Sequence, residues 1–197
     1  WHCGDLLQDV AEIIESEGHK VYVPTLKGNN VDDSKDVGLD DAIDSLTKYI
    51  NENNIQDCIL VGHSYAGMVI TGAYDRLDKK CIKRLVYWNA FVPNPGESLN
   101  DMTPPQYISL FDNIVQKDGS VLLPFPIWRE AFINDGDIEL ARSSYEKLNP
   151  HPYKTFTDQI QLSQTPAEMQ VGKSYIVCQD DIALPASLPW HPRLSQK

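Results

Sequence analysis

The chain has 197 residues, 42% of them hydrophobic and 23% charged, which suits one domain with a sizeable core. Its formal charge of −11 sets its field against nucleic acid and anionic membrane surfaces, leaving small molecules or proteins as partners. No apolar run reaches the length of a membrane span, and the segment from Trp1 onward carries no basic region leading into an apolar one.

In chain order, "DLLQDVAEIIESEG" puts Leu6, Leu7, Val10, Ala11, Ile13 and Ile14 on one helical stripe that stops at Gly18. "HKVYVP" reads as a short strand punctuated by Pro24. The Asp-rich loop "VDDSKDVGLDD" lacks calcium-loop spacing and reads as a solvated face. "LDDAIDSLTKYINEN" is a second amphipathic helix, with Leu39, Ala42, Ile43, Leu46, Tyr49 and Ile50 on its apolar face. "DCILVG" is a continuous apolar run, as in a strand covered on both sides. "AGMVITGAYDRL" follows as a helix and "IKRLVYWNAFVP" as a strand. This alternation predicts a parallel sheet with right-handed crossovers.

After Pro93 the rhythm breaks. Helical segments ("PPQYISLFDNIVQK", "GDIELARSSYEKL", "YKTFTDQIQL") and a short hairpin around "SVLLPFPIW" run to about Ser163, as in a helical cap laid over one edge of the sheet. The sheet pattern resumes at "KSYIVCQDD", and "LPASLPWHPRLSQK" starts a further helix or loop. The expected division is a core from 1–92, a cap from 93–165 and a second part of the core from 166–197. Cys3, Cys58, Cys81 and Cys178 form no CxxC pair and no metal-ligand spacing, and there is no Asn-x-Ser/Thr sequon. Reduced thiols in a cytoplasmic setting are expected, with Cys58 and Cys178 buried in apolar strands.

The stretch "CILVGHSYAGMVITGAY" passes from strand to helix through a single serine. Such a turn pushes the hydroxyl clear of the sheet and aims helix N-terminal N–H groups at a developing negative charge. It also needs small residues two before and two after the serine, here Gly62 and Ala66. Ala66 departs from G-x-S-x-G, with Gly67 following directly.

At these residues the sequence resembles the α/β-hydrolases, in particular a bacterial esterase-like branch related to plant methylesterases and hydroxynitrile lyases. "LVGHSYAGMV" is similar to the family's nucleophile elbow, "EGHKVYVPTLKG" to the segment after its first helix, "LVYWNAFVPNPGESL" to the strand leading into its cap, and "YIVCQDDIALP" to its acid turn. The resemblance implies the α/β-hydrolase fold, a mostly parallel sheet with helices on both faces and a helical cap. It makes Ser64 the nucleophile and the Tyr65 N–H an oxyanion donor. It places the acid at Asp181, with Asp180 as the alternative one residue earlier. Some relatives carry an acid just after the earlier strand, where this chain has Asn89, an amide that cannot stabilise an imidazolium by charge.

Of the histidines, His63 precedes the nucleophile and suits packing, His2 lies in an N-terminal loop, His19 connects helix to strand and His151 falls between prolines. Only His191 follows the acid, ten residues on, without room for a further strand. The family's base is therefore expected beyond Lys197, with His191 as the alternative, and the second oxyanion donor before Trp1. The chain resembles a family member cut at both ends. Trp88, Tyr107, Phe111 and Trp128 either line a substrate site or form the cap's own core. The implied activity is serine hydrolysis of a small, largely apolar ester through an acyl-enzyme, with no metal and no cofactor. The competing readings are a non-catalytic ligand-binding protein on the same fold and a lyase.

Overall fold

The computed structural model describes residues 1–184. A short 3-10 turn, Gly4–Leu7, runs into α1 (Gln8–Ser16), and α2 follows at Leu39–Glu52. β1 (Cys58–Ser64), α3 (Ala66–Arg76) and β2 (Ile82–Ala90) come next. Between β2 and the last strand lie α4 (Pro105–Ile114), β3 (Ser120–Val121), α5 (Phe125–Ile127) continued by a π-helical turn Trp128–Phe132, α6 (Ile138–Tyr145), β4 (His151–Pro152) and α7 (Lys154–Thr157). β5 (Gly172–Ile176) completes a parallel sheet of order β1-β2-β5.

α2 shows how the sequence sets these boundaries. Its first N–H groups lack partners one turn back, and carboxylates supply them. Asp41 reaches back to the Gly38 N–H at 3.1 Å, and Asp158, distant in sequence, accepts from the Leu39 N–H at 3.0 Å. Leu39, Ala42, Ile43, Leu46 and Ile50 are buried against α3, and Tyr49 is half-buried, as the apolar periodicity predicts. Across this interface Gly72 of α3 lies so close to Ile43 that a methyl on it would come within 2.4 Å of the Ile43 side chain. Arg76 closes the outer edge by pairing with Asp40 and Asp44.

Several sequence expectations change. Residues 19–24 form no strand, because strand propensity needs a ladder partner and none pairs with them among the described residues. They run instead past the N-terminal turn, where the Gly4 N–H donates to Thr25 Oγ1 at 2.9 Å. β1 is not covered on both faces: Ile59 and Val61 are 56% and 57% exposed. They share one sheet face with the exposed Ile176, as the β1-β2-β5 register requires. α1 does not cover them either, since Val10, Ile13 and Ile14 are exposed and only Ala11 of its stripe is buried.

The expected hairpin at 120–128 is absent. Ser120 and Val121 pair antiparallel with Pro152 and His151, a long-range contact that no local turn signals. α7 is a single turn rather than the longer helix its sequence suggests, and Cys178 is exposed because β5 ends at Ile176. All four cysteines are free thiols.

The segment between β2 and β5 is tied at its base. Gly96 donates to the Ile160 carbonyl at 2.8 Å and Ile160 to the Glu97 carbonyl at 2.9 Å, while Asp75 of α3 accepts from both the Ser163 N–H and its hydroxyl. Phe111, Val121, Leu123, Phe156 and Ile160 of this segment join the same buried cluster as Ile43, Met68 and Leu85.

Candidate active site

β1 ends on Ser64 and α3 begins at Ala66, so the chain reverses across one residue. Ser64 has φ 53°, in the left-handed region that a non-glycine residue occupies only under constraint. Two glycines explain how strand and helix pass so closely. A methyl on Gly62 would lie 2.8 Å from the Ala66 carbonyl oxygen, and one on Gly67 would lie 2.1 Å from the Phe91 carbonyl oxygen. The small residue required after the serine is thus Gly67, whereas Ala66 is half-buried and its methyl is accommodated. The Phe91 N–H donates to the Ser64 carbonyl at 3.2 Å and pins the elbow to the end of β2. Tyr65, at φ −52° and ψ −35°, already has helical geometry, at the helix end where N–H groups lack carbonyl partners. Its ring is buried edge-on against His151 at 4.8 Å and beside Phe156 at 5.7 Å, and burial pushes its phenol pKa up.

Beyond β5 the chain turns at Cys178–Asp181, with the Asp181 N–H donating to the Cys178 carbonyl at 3.3 Å. The half-buried Asp181 carboxylate accepts from the Asn89 amide through Oδ2 and from the Ala183 N–H through Oδ1 at 2.8 Å. Asp180 is exposed, and its carbonyl accepts from Asn134 Nδ2 at 3.2 Å. The Asp181 charge faces three rings. It opposes the fall of the His63 pKa, which burial pushes down to about 4, and it adds to the upward push of burial on Tyr107 and Tyr175, the latter reaching about 12.

The histidines divide clearly. His151 is 1% exposed, with Nδ1 bonded to Asn29 Oδ1 and Nε2 to Thr155 Oγ1, each at 2.8 Å, and burial holds its pKa well below the ordinary value. Both of its nitrogens are engaged behind the elbow. His63 packs on Trp88 at 4.9 Å and faces the ring of the exposed His2 at 6.3 Å. His19 is exposed, and His191 lies outside the described residues.

The four aromatics fall into two groups. Trp88 packs against His63 and donates from Nε1 to Cys178 Sγ at 3.2 Å, beside the acid turn. Trp128 stacks on Phe132 at 6.0 Å and touches His2 at 5.8 Å. Phe111 is 4% exposed within a cluster of Trp1, Tyr107, Tyr153 and Phe156, and so carries core packing. Tyr107 is half-buried between Phe111 and Phe132.

The fold that carries the strand-serine-helix elbow and the Cys178–Asp181 turn is shared with known proteins. The alpha/beta hydrolase family matches residues 1–196. The chain belongs to this family. An α/β-hydrolase of this chain's shape is an extracellular enzyme from a Paenibacillus species, described as sharing structural and functional homology with tobacco salicylic acid binding protein 2. It superposes with a TM-score of 0.93 at 28% identity, covering 100% of this chain and 81% of the other. An Arabidopsis methylesterase gives a TM-score of 0.74 at 21% identity, covering 96% and 83%, a likeness of fold. In sequence, a carbendazim hydrolyzing esterase of Nocardioides sp. (strain SG-4G) is 41% identical over 107 residues, 53% of this chain and 44% of the relative. The chain spans about half the length of the curated relatives it matches.

Among the described residues no group of histidine, cysteine and carboxylate side chains is arranged to hold a metal, and no helix is long and apolar enough to cross a membrane. In the sequence of this α/β-hydrolase Asn89 stands out only as a missing acid, and Tyr175 not at all. The available signal was a polar residue, tolerant of left-handed backbone, at the end of an apolar strand.

Proposed function

We propose that the protein is a serine hydrolase of small, largely apolar esters, with Ser64 as nucleophile, the Tyr65 N–H as oxyanion donor and Asp181 as the acid. The observation that carries this reading is the left-handed Ser64 at the elbow, one strand removed from the turn that holds Asp181. With β2 between β1 and β5, strand spacing sets the ends of those two strands about 9–10 Å apart, and one imidazole with a hydrogen bond at each nitrogen spans about 8 Å, a gap of the size that such a ring bridges. In the reaction, Ser64 Oγ attacks the ester carbonyl carbon while the imidazole takes its proton. The tetrahedral oxyanion forms at the Tyr65 N–H, and collapse returns the proton to the departing alcohol. Water then repeats the sequence and frees the acid. His191 is the candidate base within this chain.

Residues 93–165 serve in this reading as a cap, with Tyr107 and Trp128 beside the site, Trp88 against its acid turn and Phe111 holding the rings in place. A relative named for carbendazim hydrolysis and a methylesterase neighbour support a small-molecule ester substrate. Four unpaired thiols support a cytoplasmic setting, although one structural neighbour is described as extracellular. A ligand-binding protein without turnover is the second reading, favoured by His151, the buried histidine behind the elbow, having both ring nitrogens bonded to Asn29 and Thr155 and so unable to serve Ser64 as a base. A fluorophosphonate probe decides between them. Covalent labelling that disappears in Ser64→Ala supports the hydrolase, and unchanged labelling in that variant removes Ser64 from the mechanism.

A further inference from the structure

Asn89 occupies a place that packing alone does not require. In the β1-β2 ladder His63 pairs with Trp88 and Ser64 pairs with Ala90, so Asn89 is an extra residue in β2, a bulge at the level of the nucleophile. Its φ of 36° is left-handed and the residue is 2% exposed. The bulge is clamped from β5, because the Tyr175 hydroxyl both donates to the Ala90 carbonyl at 2.8 Å and accepts from the Ala90 N–H at 3.0 Å. Thus held, the Asn89 amide spans the acid turn. Its Oδ1 accepts from the Cys178 N–H at 2.8 Å and its Nδ2 donates to Asp181 Oδ2.

We infer that Asn89 is the positioning residue of the acid: a bulge-borne amide that fixes the Asp181 carboxylate toward the base. The inference rests on the assignment of Asp181 as the acid. A carboxylate has about four lone-pair sites, and Asn89 and Ala183 fill one on each oxygen, which sets the plane of the group and leaves two for an imidazole N–H. A neutral donor suits this place. A second carboxylate there would force the pair to share a proton, because like charges at hydrogen-bond distance cannot both ionise. The other groups whose titration senses the Asp181 charge are His63, Tyr107 and Tyr175, from β1, α4 and β5.

Two substitutions in the full-length enzyme separate this role from a backbone one. Asn89→Gly keeps the left-handed conformation available and removes the amide. Asn89→Asp keeps the shape and the acceptor for Cys178 but replaces the donor with a carboxylate oxygen. The expected results are a Tm for Asn89→Gly within a few degrees of the parent but a kcat lower by about ten- to a hundredfold, with KM little changed. In Asn89→Asp the acidic limb of the kcat/KM pH profile moves upward by about a unit or more. Parent-like kcat in Asn89→Gly together with an unshifted profile in Asn89→Asp, while Asp181→Asn is crippled, overturns the inference and leaves the acid assignment intact. Parent-like activity in Asp181→Asn overturns both. If Asn89→Gly fails to fold, the Asn89→Asp profile alone decides the matter.

Discussion

Gly67→Ala sets two physical effects of opposite sign against each other. Helix propensity favours alanine inside α3 by about 1 kcal/mol. Packing opposes it, since the new methyl would stand 2.1 Å from the Phe91 carbonyl oxygen, 3.0 Å from the Ala90 Cβ and 3.1 Å from the Phe91 carbonyl carbon. Ordinary C···O contact is about 3.3 Å, so helix and strand end must part by roughly 1 Å. Neither side yields easily. The neighbouring atoms are mainly backbone, and α3 is held from behind where Gly72 meets Ile43. A clash this deep against backbone belongs at the upper end of the overpacking cost, about 2–3 kcal/mol, so the net effect is a loss of about 1–2 kcal/mol, and Tm falls by roughly 2–8 °C for a domain of this size. Because the Phe91 N–H is bonded to the Ser64 carbonyl, the displacement reaches the proposed nucleophile, and an error of about 1 Å there should lower turnover on the order of a hundredfold. Thermal melts followed by circular dichroism and the rate of fluorophosphonate labelling measure the two consequences. An unchanged or higher Tm with parent-like labelling would show that the elbow has slack and would refute the close-approach reasoning.

Asp181→Asn should lower kcat by orders of magnitude and Asp180→Asn only slightly, because Asp181 is seated by Asn89 and Ala183 while Asp180 faces solvent; a crippled Asp180 variant would shift the acid by one residue. Acid should destabilise the fold from about pH 6.5 downward. Burial pushes the His63 pKa from 6.5 down to about 4 and holds His151 well below 6.5, so their contribution is intact above pH 6.5 and is lost as the pH falls toward 4. Urea midpoints at pH 7.5, 6 and 5 should fall in that order, and a midpoint constant across the range would contradict burial of neutral imidazoles.

What could be read from the sequence was what depends on neighbours in the chain. β1, the elbow and α3 follow from an apolar run, a serine flanked by small residues and a helical segment, all within 58–76. α2 was equally plain, because its buried residues recur at helical spacing. Local reading failed where distant partners decide. Residues 19–24 have strand composition and no ladder, Val121 finds its partner at His151, and the apolar Ile59 and Val61 face outward. Within the candidate site, Ser64 stood out by its elbow motif, and the family resemblance pointed to Asp181, with Asp180 as the alternative. The bulge at Asn89 was not, since an inserted residue shows only when two strands are laid side by side. His151 looked like a loop residue between prolines and is instead a buried neutral ring behind Tyr65.

Ser64 and Asn89, at φ 53° and 36°, are two non-glycine residues in left-handed conformation at the tips of adjacent strands. Strain of this kind is worth about 1–3 kcal/mol per residue, and glycine relieves it. A directed-evolution campaign that ranks variants by heat resistance alone would therefore find Ser64→Gly attractive and would discard the proposed nucleophile among its earliest gains. Any stabilising library for this scaffold should hold both positions fixed, or carry a parallel selection for turnover, so that robustness is gathered from the helices and loops instead of from the catalytic edge of the sheet.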